Sequence, residues 1–395
     1  MKALMIAGDR SGSGKTSITL AIAALLSRNR KVQTFKVGMD YIDPSYLSGV
    51  TGRPCRNLDS FVMQPPEIRE IFHHGCEGAD ISLVEGVRGL YEGAEALGET
   101  GSTASIAKAL DLPVILVVSA RSITRSAAAI VQGFRAFDPA VRICGVILNN
   151  VSGRQHIEKA VTAIEHYCDI PVIGAIPRQP AMELTMRHLG LVPFLEGTGK
   201  EEFHRRIADV VDLIGDHLSI DHLLSCSREY TLPAQPESYL SDPAEEMKGV
   251  RVAVAMDEAF NFYYADLFDI IRGSGAECVT FSPIHDRLPD ADGYIIGGGY
   301  PELFLPGLES NEGMRSGLQD ASRNGVPVYA ECGGLMYLTD AIALGAGWQG
   351  EKEARQYEMC GVFPGETRMP ARRVVTYVEG DSAPSSPVGA AHFRG

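Results

Sequence analysis

The sequence predicts an α/β protein of two domains, the first built on a parallel sheet with helices packed against it. Three observations predict it. Continuous apolar, β-branched runs alternate with helical patterns through the first part of the chain, and runs without polar alternation fit strands buried on both faces. The glycine-rich stretch Ala7-Gly8-Asp9-Arg10-Ser11-Gly12-Ser13-Gly14-Lys15-Thr16 stands between the first such run and the first helical pattern. After a proline-rich break the alternation resumes, and it carries a cysteine in a strand-to-helix turn.

Composition sets the outer bounds. At 395 residues the chain is long enough for two or more domains with cores of their own. With 45% hydrophobic and 22% charged residues it reads as globular, not disordered. No apolar run approaches the ~20 residues needed to cross a bilayer, and the N-terminus enters a strand with no basic segment or cleavage site before it. The expectation is a cytoplasmic protein with no membrane partner. The eight cysteines lack paired metal-ligand spacing and are expected to be reduced. A net charge of −14 argues against a nucleic-acid partner. An anionic substrate then needs a local basic pocket.

The first strand, over 3–7, leads into the glycine loop, and a helix over 15–28 leaves it. Strand, glycine-rich turn, Gly-Lys-Thr and helix form the context of a phosphate-binding loop. Gly12 and Gly14 let the backbone wrap around phosphates, with Ser13 between them presenting its N–H. Lys15 would reach the β- and γ-phosphates of ATP, and the Thr16 hydroxyl would coordinate Mg²⁺. The spacing is irregular: the six-residue rule wants glycine at position 9, where the chain has Asp9 with Gly8 before it.

Further strands are expected over 32–37, 81–84, 113–118, 144–148 and 172–175, and helices over 103–110, 124–137 and 155–167. Ligands of such a sheet sit at the carboxyl ends of its strands. After the second strand comes Lys36-Val37-Gly38-Met39-Asp40-Tyr41-Ile42-Asp43-Pro44, where Asp40 and Asp43 could hold Mg²⁺ or position a nucleophile. Glu85 ends the third strand, where a P-loop enzyme places another metal carboxylate. The loop that follows, through Arg88 to Glu92 and Gly93, has three glycines to keep it near a ligand. Asn149 closes the fifth strand and suits either an adenine edge or the start of a turn. Asp59, in Asn57-Leu58-Asp59-Ser60, reads as a helix cap.

From Cys226 the pattern breaks, with Pro233, Pro236 and Pro243 among polar residues. The expected organisation is a first domain over 1–225, a linker over 226–247 and a second domain over 248–395. Strands in the second domain are expected over 250–255, 278–281 and 293–296, with a helix over 263–271. Ala330-Glu331-Cys332-Gly333-Gly334 follows a β-run and opens a helix. That is a nucleophile elbow, in which a sharp turn exposes the Cys332 thiol at a helix N-terminus. Gly297-Gly298-Gly299 follows another strand, and the N–H groups around Gly298 and Gly299 could stabilise an oxyanion. A thiol nucleophile needs a histidine base. The second domain offers only His285 and His392, and neither position singles itself out.

Together these motifs resemble the cobyrinate a,c-diamide synthase family over essentially the whole chain. The resemblance rests on the loop with its longer spacing, Lys36-Val37-Gly38 through Asp43-Pro44, Asn57-Leu58-Asp59, Glu85-Gly86-Val87 through Tyr91, Gly297-Gly298-Gly299-Tyr300-Pro301-Glu302, and Ala330-Glu331-Cys332-Gly333-Gly334. It implies a dethiobiotin-synthetase-like P-loop domain followed by a class I cysteine glutaminase-like domain. Met39 stands where many members have Pro, Arg88 where many have Met, and Glu92 where many have Asp. The stretch after Asn57-Leu58-Asp59 also lacks the Trp that many carry. These departures look more like nickel-sirohydrochlorin a,c-diamide synthase of coenzyme F430 synthesis. The family pattern also continues into a histidine motif that supplies the glutaminase base, which is expected to lie beyond Gly395.

The resemblance implies amidation of a tetrapyrrole polycarboxylate through an acyl phosphate, with ATP and Mg²⁺ as cofactors and ammonia from L-glutamine. Asp43, Glu85 and Thr16 would serve the metal, with Asp40, Asp59 and Glu92 ordering the substrate or metal loop. Arg53, Arg56 and Arg88 are candidate clamps for substrate carboxylates. A homodimer is compatible with the pattern. The competing class is a partitioning-type P-loop switch, which Arg10, five residues before Lys15, echoes. A switch has no need of Cys332.

Overall fold

A computed structural model describes residues 1–179, 200–231, 247–348, 353–370, 376–385 and 389–395. They fall into two compact units, one mainly within residues 1–237 and the other mainly within 238–393.

The first unit runs β1 (Lys2–Gly8), α1 (Lys15–Ser27), β2 (Val32–Val37), α2 (Ile42–Thr51), β3 (Arg56–Leu58), α3 (Pro65–Cys76), β4 (Ile81–Glu85), α4 (Thr103–Ala109), β5 (Val114–Ser119), α5 (Arg125–Phe137), β6 (Ile143–Val151), α6 (Gly153–Cys168), β7 (Val172–Pro177), α7 (Lys200–Gly215), α8 (Ile220–Cys226) and β8 (Arg228–Glu229). The sheet order is β3-β2-β4-β1-β5-β6-β7, with every one of these neighbours parallel. Apolar side chains along β1, β4 and β5 are buried on both faces, as the unbroken runs require. One face packs on α1 through Leu4, Ile6, Ile18, Ile22 and Leu26, with Val210 and Ile214 of α7 in the same core.

Six elements of this unit, β3, α2, α3, α7, α8 and β8, have no counterpart in the sequence reading. β3 has only three residues, and α2 buries little beyond Pro44, Tyr46 and Leu47. α3 starts with two prolines after Gln64, whose capping box with Glu67 fixes its first turn. β6 is longer than expected and takes in Asn149, which therefore lies in a strand and not after one. The expected linker also begins late. Arg228 and Glu229 pair antiparallel with Ala3 and Lys2, so the chain returns to the sheet after α8. Residues 232–246 lie outside the described residues.

The second unit is built on β9 (Arg251–Ala255), α9 (Ala265–Gly273), β10 (Glu277–Phe281), β11 (Gly293–Ile296), α10 (Leu305–Ser310), α11 (Glu312–Arg323), β12 (Val328–Ala330) and α12 (Gly333–Leu338). Its parallel sheet has the order β10-β9-β11-β12. Phe260, Ile296, Leu318 and Tyr337 centre the core. A three-stranded sheet follows, formed by β13 (Thr339–Leu344), β14 (Arg355–Glu358) and β15 (Phe363–Met369). Among the described residues, no helix is long and apolar enough to cross a membrane.

Candidate active sites

At the carboxyl end of β1 the backbone turns through Gly12 (φ 76°) and Gly14 (φ 92°) into α1. A methyl group on Gly14 would lie 2.0 Å from Asn149 Nδ2. Glycine is therefore required there twice over, by its dihedral angle and by its neighbour. Ser13 is buried inside this turn. Lys15 is buried at the start of α1, its Nζ 4.0 Å from Glu85 Oε1. Burial and the nearby Lys36 lower its pKa against the pull of Glu85, Asp43 and Asp40.

The carboxylates expected to serve the metal converge on this loop. Thr16 Oγ1 donates to Glu85 Oε1 at 2.7 Å and to Asp43 Oδ2 at 3.2 Å. Glu85, at the end of β4, is fully buried. Asp43 lies in the first turn of α2 and not in a loop. Asp40 Oδ1 accepts from Ile42 N at 2.8 Å and Asp43 N at 3.3 Å, so it orders the turn that presents Asp43. Asn57, in β3, ties the same turn down by donating to the Gly38 and Asp40 carbonyls at 2.8 and 2.7 Å.

Lys36, near the end of β2, is a site residue that the sequence does not single out. Its Nζ donates to Asp43 Oδ2 at 2.5 Å and Glu85 Oε1 at 2.8 Å. Burial alone would lower its pKa, but Glu85, Asp43 and Asp40 together outweigh it and raise it. Asp43 is held below the ordinary carboxylate range: burial opposes ionisation, and Lys36 overcomes it. Asp40 is pushed up to about 6, by burial first and by Asp43 second. The readable signal for Lys36 was a lysine in an otherwise buried strand, since such a charge is retained only with partners.

Other expected site residues turn out to be differently engaged. Asn149 Nδ2 donates to the Ser13 carbonyl at 2.8 Å and its Oδ1 accepts from Asn150 N at 2.9 Å. Its carboxamide braces the phosphate loop, a role the sequence did not assign. Arg53 is also committed. Its Nε donates to Gln33 Oε1 at 2.9 Å, and one terminal nitrogen donates to the Gly75 and Glu77 carbonyls at 3.0 and 2.9 Å. The guanidinium ties the segment after α2 to β2 and to the end of α3, an engagement that the substrate-clamp reading did not foresee. Arg56 is buried, its Cδ against Gly75 of α3. Arg88 is exposed, with φ 48°, on the loop after β4. Glu92 accepts from Gly89 N at 3.1 Å and closes that loop on itself. Asp59 is buried, and its Oδ1 accepts from Phe61 N at 2.8 Å in a turn.

In the second unit Cys332 is exposed between β12 and α12, with φ 48° and ψ −110°, a conformation costly for a residue with a side chain. Gly334 N donates to the Gly297 carbonyl at 3.0 Å, which draws the cysteine turn onto the glycine loop after β11. A methyl group on Gly334 would meet the Ile296 carbonyl oxygen at 2.1 Å, so only glycine allows this approach. One on Gly298 would lie 3.4 Å from Cys332 Cβ. Gly297 N is taken by the Tyr263 hydroxyl at 2.7 Å. His285 Nε2 pairs with Glu258 Oε1 at 3.1 Å, and His392 Nδ1 with Asp381 Oδ1 at 2.9 Å.

Two family models match this chain. That of the CobQ/CobB/MinD/ParA nucleotide binding domain covers residues 4–192, and that of the CobB/CobQ-like glutamine amidotransferase domain covers residues 251–395. The cobyrinate a,c-diamide synthase of Methanosarcina acetivorans is 50% identical over 389 residues, covering 95% of this chain and 78% of that protein. The cobyrinate a,c-diamide synthase of Listeria innocua is 44% identical over 375 residues, covering 94% of this chain and 80% of that protein. This chain belongs to the cobyrinate a,c-diamide synthase family. Members of the family are ATP-dependent glutamine amidotransferase ligases, so the chain is an enzyme and the switch reading ends here.

The phosphate loop thus lies within the matched nucleotide binding domain, and the Cys332 turn within the matched glutamine amidotransferase domain. A divalent cation fits the first. Glu85 Oε2 is buried and has no hydrogen-bond partner among the described residues. The hydroxyl of Thr16 and the carboxylates of Asp43 and Glu85 are hard oxygen donors of the kind Mg²⁺ takes.

Proposed function

We propose that this chain amidates the a and c acetate side chains of a tetrapyrrole, using ATP to activate each carboxylate and glutamine to supply ammonia. The observation that carries it is the convergence of Lys15, Thr16, Lys36, Asp43 and Glu85 at the phosphate loop, with Glu85 Oε2 left partnerless. A carboxylate is a poor electrophile and hydroxide a poor leaving group, so an acetate must be activated before ammonia can attack it. A substrate carboxylate oxygen attacks the γ-phosphorus, the bond to the bridging oxygen breaks, and ADP leaves. Ammonia then adds to the acyl carbon, phosphate departs, and a proton is lost to leave the amide.

Such a transfer needs positioning and charge neutralisation more than covalent help. The loop N–H groups and Lys15 hold the phosphates. Thr16, Asp43 and Glu85 would hold Mg²⁺, which when bound neutralises charge on the phosphoryl oxygens. Asp40 and Asn57 keep Asp43 in place, and Asn149 keeps Ser13 in place. Arg88, exposed on the loop after β4, is the solvent-facing candidate for a substrate carboxylate.

At the second site the Cys332 sulfur attacks the glutamine carboxamide carbon. The oxyanion that forms is met by N–H groups at Gly298 and Gly299, and collapse expels ammonia and leaves a thioester. Water hydrolyses the thioester to glutamate.

Met39, Arg88 and Glu92 favour Ni-sirohydrochlorin as the tetrapyrrole. The second reading is cobyrinate, the substrate in the names of the relatives. Incubation with ATP, ammonium and each of Ni-sirohydrochlorin, its cobalt analogue, cobyrinate and hydrogenobyrinate, followed by mass spectrometry, decides between them. Product from none of the four, by a folded protein that binds ATP, refutes the tetrapyrrole reading.

A further inference from the structure

Two donors share one pair of oxygens in the phosphate-loop site. Thr16 Oγ1 donates to Asp43 Oδ2 and Glu85 Oε1, and Lys36 Nζ donates to the same two atoms. Only 3% of the Lys36 side chain is exposed, and Asp40 Oδ2 lies 3.8 Å from its Nζ. Lys15 and Lys36 therefore stand against three carboxylates, Asp40, Asp43 and Glu85. Two carboxylates this close to each other in a buried site are tolerable only with a cation between them.

We infer that Lys36 is the resident counterion of the metal carboxylates: its ammonium occupies the Asp43 and Glu85 oxygens that a divalent cation would use, so the nucleotide-free protein takes up Mg²⁺ poorly and acquires it together with ATP. This rests on reading Thr16, Asp43 and Glu85 as the metal site. A divalent ion entering alone meets carboxylates whose charge is already answered. An ion entering with a triphosphate brings new anionic oxygens. The flexible lysine stem can turn to those oxygens, which releases the carboxylates to the metal. Lys36 is then a positioning residue for the metal as well as a charge near the phosphates.

The test uses Mn²⁺ alone, followed by the paramagnetic resonance signal of the free ion, with the wild type and Lys36→Met. The variant is expected to bind Mn²⁺ at least about tenfold tighter than the wild type, or ~1.4 kcal/mol. Mn²⁺ should raise the melting temperature of the variant and leave that of the wild type nearly unmoved. Equal affinities overturn the inference. Lys36→Met leaves one lysine against three carboxylates, so Lys36→Met/Asp40→Asn, which restores the original charge balance, is measured beside it and should show the same gain. If neither variant folds even with Mn²⁺ present, the inference also fails, because the ion then does not replace the ammonium. A parallel arm adds a non-hydrolysable ATP analogue. If the wild type does not take up Mn²⁺ even with the analogue, the metal-site reading itself is wrong. If it does, and Lys36→Met shows no gain for Mn²⁺ alone, only the Lys36 inference falls.

Discussion

Replacing Asn149 separates the adenine contact expected from the sequence from the brace for the phosphate loop seen in the structure. Its Nδ2 donates to the Ser13 carbonyl at 2.8 Å in a position only 6% exposed. Asn149→Ala leaves that carbonyl without its donor, and a buried acceptor left unpaired costs ~1–3 kcal/mol. Whatever part of this cost loosens the loop lowers the fraction of chains competent to bind. The loss of affinity should therefore fall between ~5-fold and ~150-fold. Asn149→Asp keeps the shape but sets a carboxylate oxygen against the Ser13 carbonyl, so its loss should be the larger. A brace acts on the phosphates and ignores the base. Calorimetric titration with ATP, GTP and tripolyphosphate should therefore show the same factor for all three. A loss confined to ATP, with tripolyphosphate binding unchanged, would refute the brace and restore the adenine contact.

Cys332→Ala is expected to abolish glutamine-driven amidation and keep ammonium-driven amidation, read as amide product with each nitrogen source; loss of both in a folded variant would contradict two separate sites. Arg53→Ala should destabilise the protein by ~1–3 kcal/mol in urea unfolding, since three hydrogen bonds go with it, and leave the tetrapyrrole KM unchanged. Arg88→Ala should do the reverse, with stability within ~0.5 kcal/mol of the wild type and a raised KM; an unchanged KM would end the clamp assignment. Hydrogen bonding from Cys144 lowers the Cys226 thiol to about 7. In a Cys332→Ala background, alkylation at Cys226 should rise as the pH climbs through about 7, where the thiolate forms. Cys144→Ala should move that rise to higher pH, and a profile that does not move would show that Cys144 is not the cause.

The functional motifs were legible because each is local. A glycine turn before Lys15 and Thr16 needs only its own strand and helix, and the cysteine elbow needs only the residues on either side of it. The same holds for Glu85, whose place at the end of a buried strand follows from the apolar run before it. Arg53 shows the limit. As an arginine near an acidic loop it suits a carboxylate clamp, yet its partners are Gln33 and two carbonyls in and beyond α3, residues that only folding brings near. The elements β3, α2 and α3 were hard to read for a related reason: β3 and α2 bury few residues, and α3 opens on two prolines held by a capping box.

The sequence by itself determined the α/β class, the phosphate loop, the cysteine turn and the family, all carried by short runs with their own periodicity or backbone geometry. Only the tertiary structure decided which side chains share charge and hydrogen bonds. Parallel pairing sets β2 beside β4 with Lys36 level with Glu85, and β6 beside β5 carries Asn149 to the loop that ends β1. Lys36 thereby became the cation between two carboxylates, and Asn149 became the support of Ser13. The interaction of buried polar groups depends on distances across the sheet, and these are fixed by strand order and register, not by position along the chain.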